Sequence, residues 1–592
     1  IHLAFALLLV FCAFPLRKQR PTTRDSLILP PQFGPVDLAC AIIACVSALY
    51  IVLDYQGISE RQGLPLVRDV VLGLILMVTL LEAARRVVGI ALPILCGLFV
   101  LYALYGNHMP DFLAFKGVSL NRLMGQMTMS TEGIYSIPLD VSASIVFLFV
   151  LFGAMLDKAG AGEYFIRLAL SLLGRFRGGP AKAAVLGSGL TGMVSGSSIA
   201  NVVTTGTFTI PLMKRVGYPA TKAAAIEVAA GIDGQLMPPV MGAAAFIMAE
   251  YLNVPYLAVV KAAVIPAVLS YCGLFYITHV EACKLGMQGM SRDEIPRFRE
   301  VFFSGFHYML PMIVLILELV WFRHSPQLSV LRAIVVLAAI IVVQESVSAR
   351  RTGKSVWHGL KESGRLLVVS LENGGKNMVS VAVATACAGI IVGVVTLGLG
   401  GLITEFIDQV SSGNIYLMLL VTAIACLIIG MGIPTTATYI VVASLTAPGL
   451  VLIAGNHGFV MPLIAAHLFC FYFGILADDT PPVGLASFAA AAVAGSEPVS
   501  TSLQGFRYHV RTAILPFAFV FNHELLLINV HSVLHGIIVL VTGCIGVLAF
   551  VSATQGWFAT KNRWYETILL LVVTVCMLRP GILVASPPVF SR

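Results

Sequence analysis

Two short segments gather oxygen-bearing side chains where apolar sequence is interrupted. Residues 191–201 read TGMVSGSSIAN and offer the hydroxyls of Ser195, Ser197 and Ser198 with the amide oxygen of Asn201; residues 430–440 read GMGIPTTATYI and offer Thr435, Thr436 and Thr438 around Pro434. Each is followed by a second interruption built from Gly, Asp and Pro-Pro. These are GIDGQLMPPVMGAAAF at 231–246, with Asp233, and GILADDTPPVGLASFA at 474–489, with Asp478 and Asp479. Neutral hydroxyl, amide and carbonyl oxygens with one carboxylate suit a hard monovalent cation such as Na⁺. Ionisable groups inside membrane segments are costly and mark ion or substrate paths.

The sequence around these residues is that of a membrane protein. Of 592 residues 58% are hydrophobic and 11% charged, and mean hydropathy is +0.93. Globular proteins carry roughly 25% charged residues. Apolar runs near 38–53, 66–81, 88–106, 138–156, 256–278, 305–321, 330–344, 376–398, 415–431, 459–477 and 564–579 are each long enough to cross a hydrocarbon core. With less regular runs, about 15–18 segments cross or enter the membrane. The net charge of +8 follows from basic clusters such as Arg17–Arg24, Arg85–Arg86 and Arg350–Lys354, the pattern of short cytoplasmic loops. None is interleaved with aromatics, so nucleic acid is not an expected partner. The eleven Cys sit singly in apolar runs without a CxxC, as small core residues do. There is no P-loop, no HExxH and no GxSxG with triad partners. The reading is a transporter and not an enzyme, without an ATPase engine or an organic cofactor. Ile1 stands without Met in an apolar run followed by basic residues, read as a truncated membrane helix, and Arg592 reads as an arbitrary stop, so sequence is expected to be missing at both ends.

Interrupted hydrophobic segments at matching places in two halves point to a transporter binding site. Gly, Ser and Pro end helices, and unwound chain at membrane depth must be buried in protein or line a cavity. Re-entrant helical hairpins satisfy that condition and are predicted near 183–213, with a tip at 194–200, and near 415–453. Each tip and the break after it are expected to clamp one Na⁺, giving at least two sites, with carbonyls at 231–232 and 474–477 freed by unwinding. The hairpin tips present helix N-termini that favour carboxylates, so a small organic anion, such as a dicarboxylate, is the expected substrate. Glu227 and Glu250 are read as interfacial. The lone His279, His457 and His467 are read as structural.

Four apolar segments fill 1–106, and 107–133 is a mixed linker. Residues 134–522 hold the duplicated unit, and 523–592 add two further apolar segments. Charged amphipathic stretches at 163–179 and 356–375 are expected to lie along the membrane surface.

GSGLTGMVSGSSIANVV, GIDGQLMPPVMGAAAFIMAE, GMGIPTTATYIV and GILADDTPPVGLASFAAA resemble the large membrane subunit of tripartite ATP-independent periplasmic (TRAP) transporters. The block at 1–106 resembles the small subunit fused in front, and the arrangement resembles permeases of the TAXI branch. The resemblance implies an all-α polytopic protein of the bacterial inner membrane: an elevator with inverted repeats, two re-entrant hairpins and a fused four-helix block. It also implies Na⁺-coupled import of an organic acid delivered by a periplasmic substrate-binding protein, with a C4–C5 dicarboxylate such as 2-oxoglutarate or glutamate favoured. Mapped by motif, Na⁺ ligands would come from Ser195, Ser198, Asn201, Gly231 and Asp233, and from Gly432, Thr435, Thr438, Gly474 and Asp478. Substrate contacts would come from Ser197, Ser198, Pro238, Thr435, Thr436 and Pro481. The second hairpin has no Asn matching Asn201, so the two sites cannot be identical. The alternative is a Na⁺/organic-anion symporter of similar hairpin architecture that needs no binding protein.

Overall fold

A computed structural model describes residues 1–16, 34–61, 63–110 and 114–579. The basic cluster at Arg17–Arg24 lies outside them. Every regular element among the described residues is helical. Nine helices there are long and apolar enough to cross a membrane, and five shorter apolar helices accompany them. The segment number expected from apolar runs exceeds nine because several runs form apolar helices of only 10–17 residues. Large apolar side chains stay exposed along outer faces, for example Ile42 at 52% and Val335 at 62%. Lipid, not water, suits such faces.

The chain divides into two compact units. One contains Ile1–Leu151, Phe246–Leu252 and Val369–Leu463. Its first helices, His2–Ala13, Pro35–Leu53 and Val67–Val87, are tied by Arg86. That guanidinium donates to Asp37 at 2.6 Å, Glu82 at 2.8 Å and the Phe14 carbonyl at 3.0 Å, and lies 4.7 Å from the Phe11 ring centroid. A second cluster closes one end, where Arg61 bonds Asp54 at 2.5 Å and Asp69 at 3.0 Å; the guanidinium holds the Asp54 carboxyl below its usual range. Residues 107–133 carry the helix Leu120–Thr128, capped by Ser119.

This unit also holds the second hairpin. Its arms are Ile415–Gly430 and Thr435–Asn456. Asn414 caps the first arm by accepting from the amides of Tyr416 and Leu417 at 3.0 and 3.2 Å. The turn passes through Gly432 at φ +76°, a left-handed conformation that glycine adopts freely, and Pro434 starts the second arm.

The other unit contains Phe152–Ala245, Asn253–Val368 and Ile464–Arg592. Its first hairpin has arms Gly179–Ser195 and Ser198–Arg215, so the turn is only Gly196 and Ser197. It is tighter than the expected 194–200 because Gly196 adopts the left-handed C-terminal conformation while Ser197 caps the next helix, accepting from the Ala200 amide at 3.3 Å. The amphipathic helix Ala161–Leu173 buries Phe165, Ile166 and Leu168 and packs on the first arm. The stretch 356–375 instead opens one long helix, Val356–Val394.

Candidate functional site

The first hairpin lies on the helix Ala220–Gly234 through a seam of small residues. A Cβ added to Gly234 would stand 2.8 Å from Gly192 Cα, so the two backbones touch. Asn201 braces the hairpin itself. Its amide donates to the Ser188 carbonyl at 3.0 Å and the Ser188 hydroxyl at 2.7 Å, and its oxygen accepts from Thr191 at 2.8 Å. Ser195 donates to the Ser197 carbonyl at 3.3 Å, which leaves Ser198 as the tip residue that reaches out. Its hydroxyl donates to Asp478 Oδ2 at 2.5 Å, with both residues buried. The sequence reading paired each tip with the break that follows it. Here the first tip meets the second break.

Both breaks lie further along the chain than their glycines suggest. The Ala220 helix runs through Gly231 and Asp233 to Gly234, and the Ile232 carbonyl accepts from the Gln235 amide at 3.1 Å. Gly474 likewise stays inside the helix Leu463–Leu476. Irregular chain occupies 235–241 and 480–484, with a short 3₁₀ turn at Ala477–Asp479. The carbonyls of 231–232 and 474–476 therefore belong to helices, which corrects the expectation that unwinding frees them. Pro238–Pro239 and Pro481–Pro482 are cis. The first break is fixed by the Tyr256 hydroxyl, placed 2.7 Å from the Pro239 carbonyl and 2.5 Å from that of Val240. Tyr256→Phe is expected to lower thermal stability by about 1 kcal/mol, the net worth of a typical hydrogen bond. Unfolding of the detergent-solubilised protein measures it.

The three aspartates have different surroundings. Asp233 forms an ion pair with Arg511 and accepts from Ser270 at 2.8 Å and Thr512 at 3.3 Å. A cation site at Asp233 would have to share the carboxylate with that guanidinium. Asp479 accepts from Ser487 and meets His509 Nδ1 at 2.6 Å, while its carbonyl accepts from Ser502 at 2.7 Å. Asp478 has Ser198 as its hydroxyl donor and is the carboxylate least committed to protein cations. The partners of Asp233 and Asp479 come largely from one helix, Pro498–Phe521. Sequence reasoning missed Ser502, His509, Arg511 and Thr512. Ser502, Gly505, His509 and Thr512 recur at helical spacing, and that polar row, with Arg507, His509 and Arg511 on one helix, was the available signal.

In the other unit, Thr438 donates to the Ile433 carbonyl at 3.2 Å and so fastens the second turn, while Thr435 and Thr436 begin the second arm at its N-terminal end. Glu227 is fully buried, contrary to its interfacial reading, whereas Glu250 is exposed. His457 bonds Asp408 at 3.0 Å.

A hairpin whose tip meets an Asp of a distant Pro-Pro break is a specific arrangement. The profile of the tripartite ATP-independent periplasmic transporter DctM component matches residues 75–534. The chain belongs to this family. It is a TRAP permease, a multi-pass protein of the bacterial inner membrane. A domain of unknown function (DUF3394) matches residues 536–586. The permease is 26% identical over 312 residues to an isethionate TRAP transporter permease of Oleidesulfovibrio alaskensis, covering 50% of this chain and 45% of that one. It is 34% identical over 144 residues to a C4-dicarboxylate TRAP transporter large permease of Pseudomonas aeruginosa, covering 24% and 33%. A 2,3-diketo-L-gulonate TRAP permease of Escherichia coli is 24% identical over 168 residues, covering 28% and 39%. The chain thus spans less than half the length of these relatives.

Proposed function

We propose that this permease imports a small organic anion, coupled to Na⁺ and delivered by a periplasmic substrate-binding protein, through elevator-type alternating access. The observation that carries the reading is the Ser198–Asp478 contact at 2.5 Å. It puts a hydroxyl, a carboxylate that no Lys, Arg or His among the described residues holds, and a helix N-terminus at one buried point. A cation entering there meets hard oxygens and a negative charge. Bound, it would fix the first hairpin tip against the second break and raise the affinity for an anion beside it. Thr435, Thr436, Thr438 and Gly432 are proposed to supply oxygens to a second Na⁺ site at the turn of the second hairpin.

Relatives named for isethionate, C4-dicarboxylate and 2,3-diketo-L-gulonate share a small anionic substrate. A C4–C5 dicarboxylate such as 2-oxoglutarate or glutamate is favoured here. We further read 1–106 as a fused small-subunit block ahead of the large unit at 134–522, and 523–592 as added helices of a TAXI-type arrangement.

Uptake of labelled dicarboxylate into proteoliposomes tests the reading. Accumulation is expected only when a Na⁺ gradient and the cognate binding protein are both present. Accumulation by the permease and a Na⁺ gradient alone would establish the binding-protein-independent symporter instead. Accumulation indifferent to Na⁺ would overturn the coupling.

A further inference from the structure

Glu227 sits in the middle of the helix Ala220–Gly234 and is fully buried. Two hydroxyls of the first hairpin's second arm close on its carboxyl group. Thr205 Oγ1 contacts Oε1, and Thr209 Oγ1 lies 2.6 Å from Oε2. The spacing is helical: Thr205 and Thr209 are one turn apart and face the same side. Behind Thr205 stands the Ser188 hydroxyl of the first arm at 3.5 Å, which in turn accepts from Asn201 at 2.7 Å. A polar chain thus runs from Glu227 into the brace that holds the two arms together.

No Lys, Arg or His nitrogen among the described residues lies within 4.0 Å of this carboxyl group. Of the charged groups on the elements packed around it, those with side-chain partners hold them elsewhere, and Lys261, Arg507 and Arg215 lie beyond 4.0 Å of this carboxyl group. On its own helix, Lys222 pairs with Glu281 at 2.5 Å and Asp233 with Arg511. The helix Tyr256–Lys284 contributes Tyr271, whose hydroxyl donates to the Ala230 carbonyl at 3.0 Å, as well as His279 and Glu281. On the Pro498 helix, His509 is on Asp479. On the hairpin, Lys182 donates to the Arg177 carbonyl and Lys214 to the Ala494 carbonyl at 2.7 Å, and Arg215 ends the second arm. The helix Leu485–Ala494 has no ionisable residue.

Hydrogen counting decides what neutralises the group. Thr205 Oγ1 also stands 2.8 Å from the Asn201 carbonyl, and Thr209 Oγ1 3.0 Å from that of Thr205, so even with the Ser188 hydroxyl as a third donor toward the carboxyl group, three hydroxyl hydrogens serve four oxygens. A proton on the carboxyl lets Thr209 accept from Glu227 while donating to the Thr205 carbonyl. Without it, an anion would be shut away from water with no cation, at a cost of many kcal/mol, and such groups take up a proton instead. The 2.6 Å oxygen–oxygen separation is that of a hydrogen bond, leaving no space for a metal ion between these atoms.

We propose that Glu227 is a proton-binding site, and that its proton joins the first hairpin to the Ala220 helix. Removing the proton leaves a buried anion facing only neutral hydroxyls and loosens the hairpin arms.

Infrared difference spectroscopy of the full chain in lipid nanodiscs tests this, with wild type compared against Glu227→Gln. At neutral pH a protonated-carboxyl stretching band is expected in wild type and absent from the variant. It should fade as the pH is raised and be indifferent to added Na⁺. Absence of such a band, or its loss on adding Na⁺ at constant pH, overturns the proposal. If Glu227→Gln does not fold, Thr209→Val serves: removing the accepting hydroxyl should shift the band, and an unshifted band counts against the site.

Discussion

Arg511→Leu is expected to destabilise the permease by about 3–5 kcal/mol, the range for removing one partner of a buried ion pair. The side chain is 1% exposed. Its Nη2 bonds Asp233, its Nη1 donates to the Tyr508 carbonyl, and its Nε donates to the Ser270 carbonyl at 3.2 Å. Leucine fills much of the volume but leaves Asp233 with only Ser270, Thr512 and a His509 nitrogen 4.0 Å away. Neutral hydroxyls do not offset a carboxylate buried at this depth. The diagnostic comparison is the double variant Arg511→Leu/Asp233→Leu. Replacing both partners by apolar groups removes the desolvation cost together with the attraction, so most of the stability should return. Thermal unfolding in detergent reads both variants. Arg511→Leu as stable as wild type would mean that the ion pair does not hold this cluster.

The same residue marks where the sequence stopped being legible. The four interruptions could be read because they are local chemistry. Gly196 and Ser197 end one helix and cap the next, and Pro434 starts another, whatever surrounds them. Helix continuation past Gly231 and Gly474 could not be read that way. Glycine weakens a helix in isolation, but Gly234 is needed for contact with the Gly192 backbone, and Asp233 is tolerated because Arg511 reaches it from 278 residues away. Nothing within a turn of Asp233 announces that partner. Glu227 was misread for the opposite reason. A charge in AAAIEVAAG looked interfacial, while the hydroxyls that make it tolerable belong to TTGTFT, on another helix. The Thr205 and Thr209 spacing was visible, but its target was not.

The crosswise contact between Ser198 and Asp478 yields the second large effect. Asp478→Ala is expected to abolish Na⁺-driven uptake, because it removes the carboxylate at the first hairpin tip, which no Lys, Arg or His among the described residues holds. Ser198→Ala keeps the carboxylate and removes its donor. A hydrogen bond to a charged group is worth about 1.5–3 kcal/mol, so the apparent Na⁺ affinity should fall by roughly 10- to 150-fold. The two substitutions must not add. If the hydroxyl and the carboxylate act on the same ion, Ser198→Ala in an Asp478→Asn background should cost little beyond Asp478→Asn alone. The cycle is read from the Na⁺ dependence of initial uptake rates in proteoliposomes. Strict additivity would separate the two residues and would sink the Na⁺ site proposed between them. A full loss from Ser198→Ala that Na⁺ cannot overcome would instead assign the hydroxyl to substrate. Thr435→Ala, in the other hairpin, supplies the control. It should lower Na⁺ affinity additively with Ser198→Ala, because the two turns are proposed to hold separate ions.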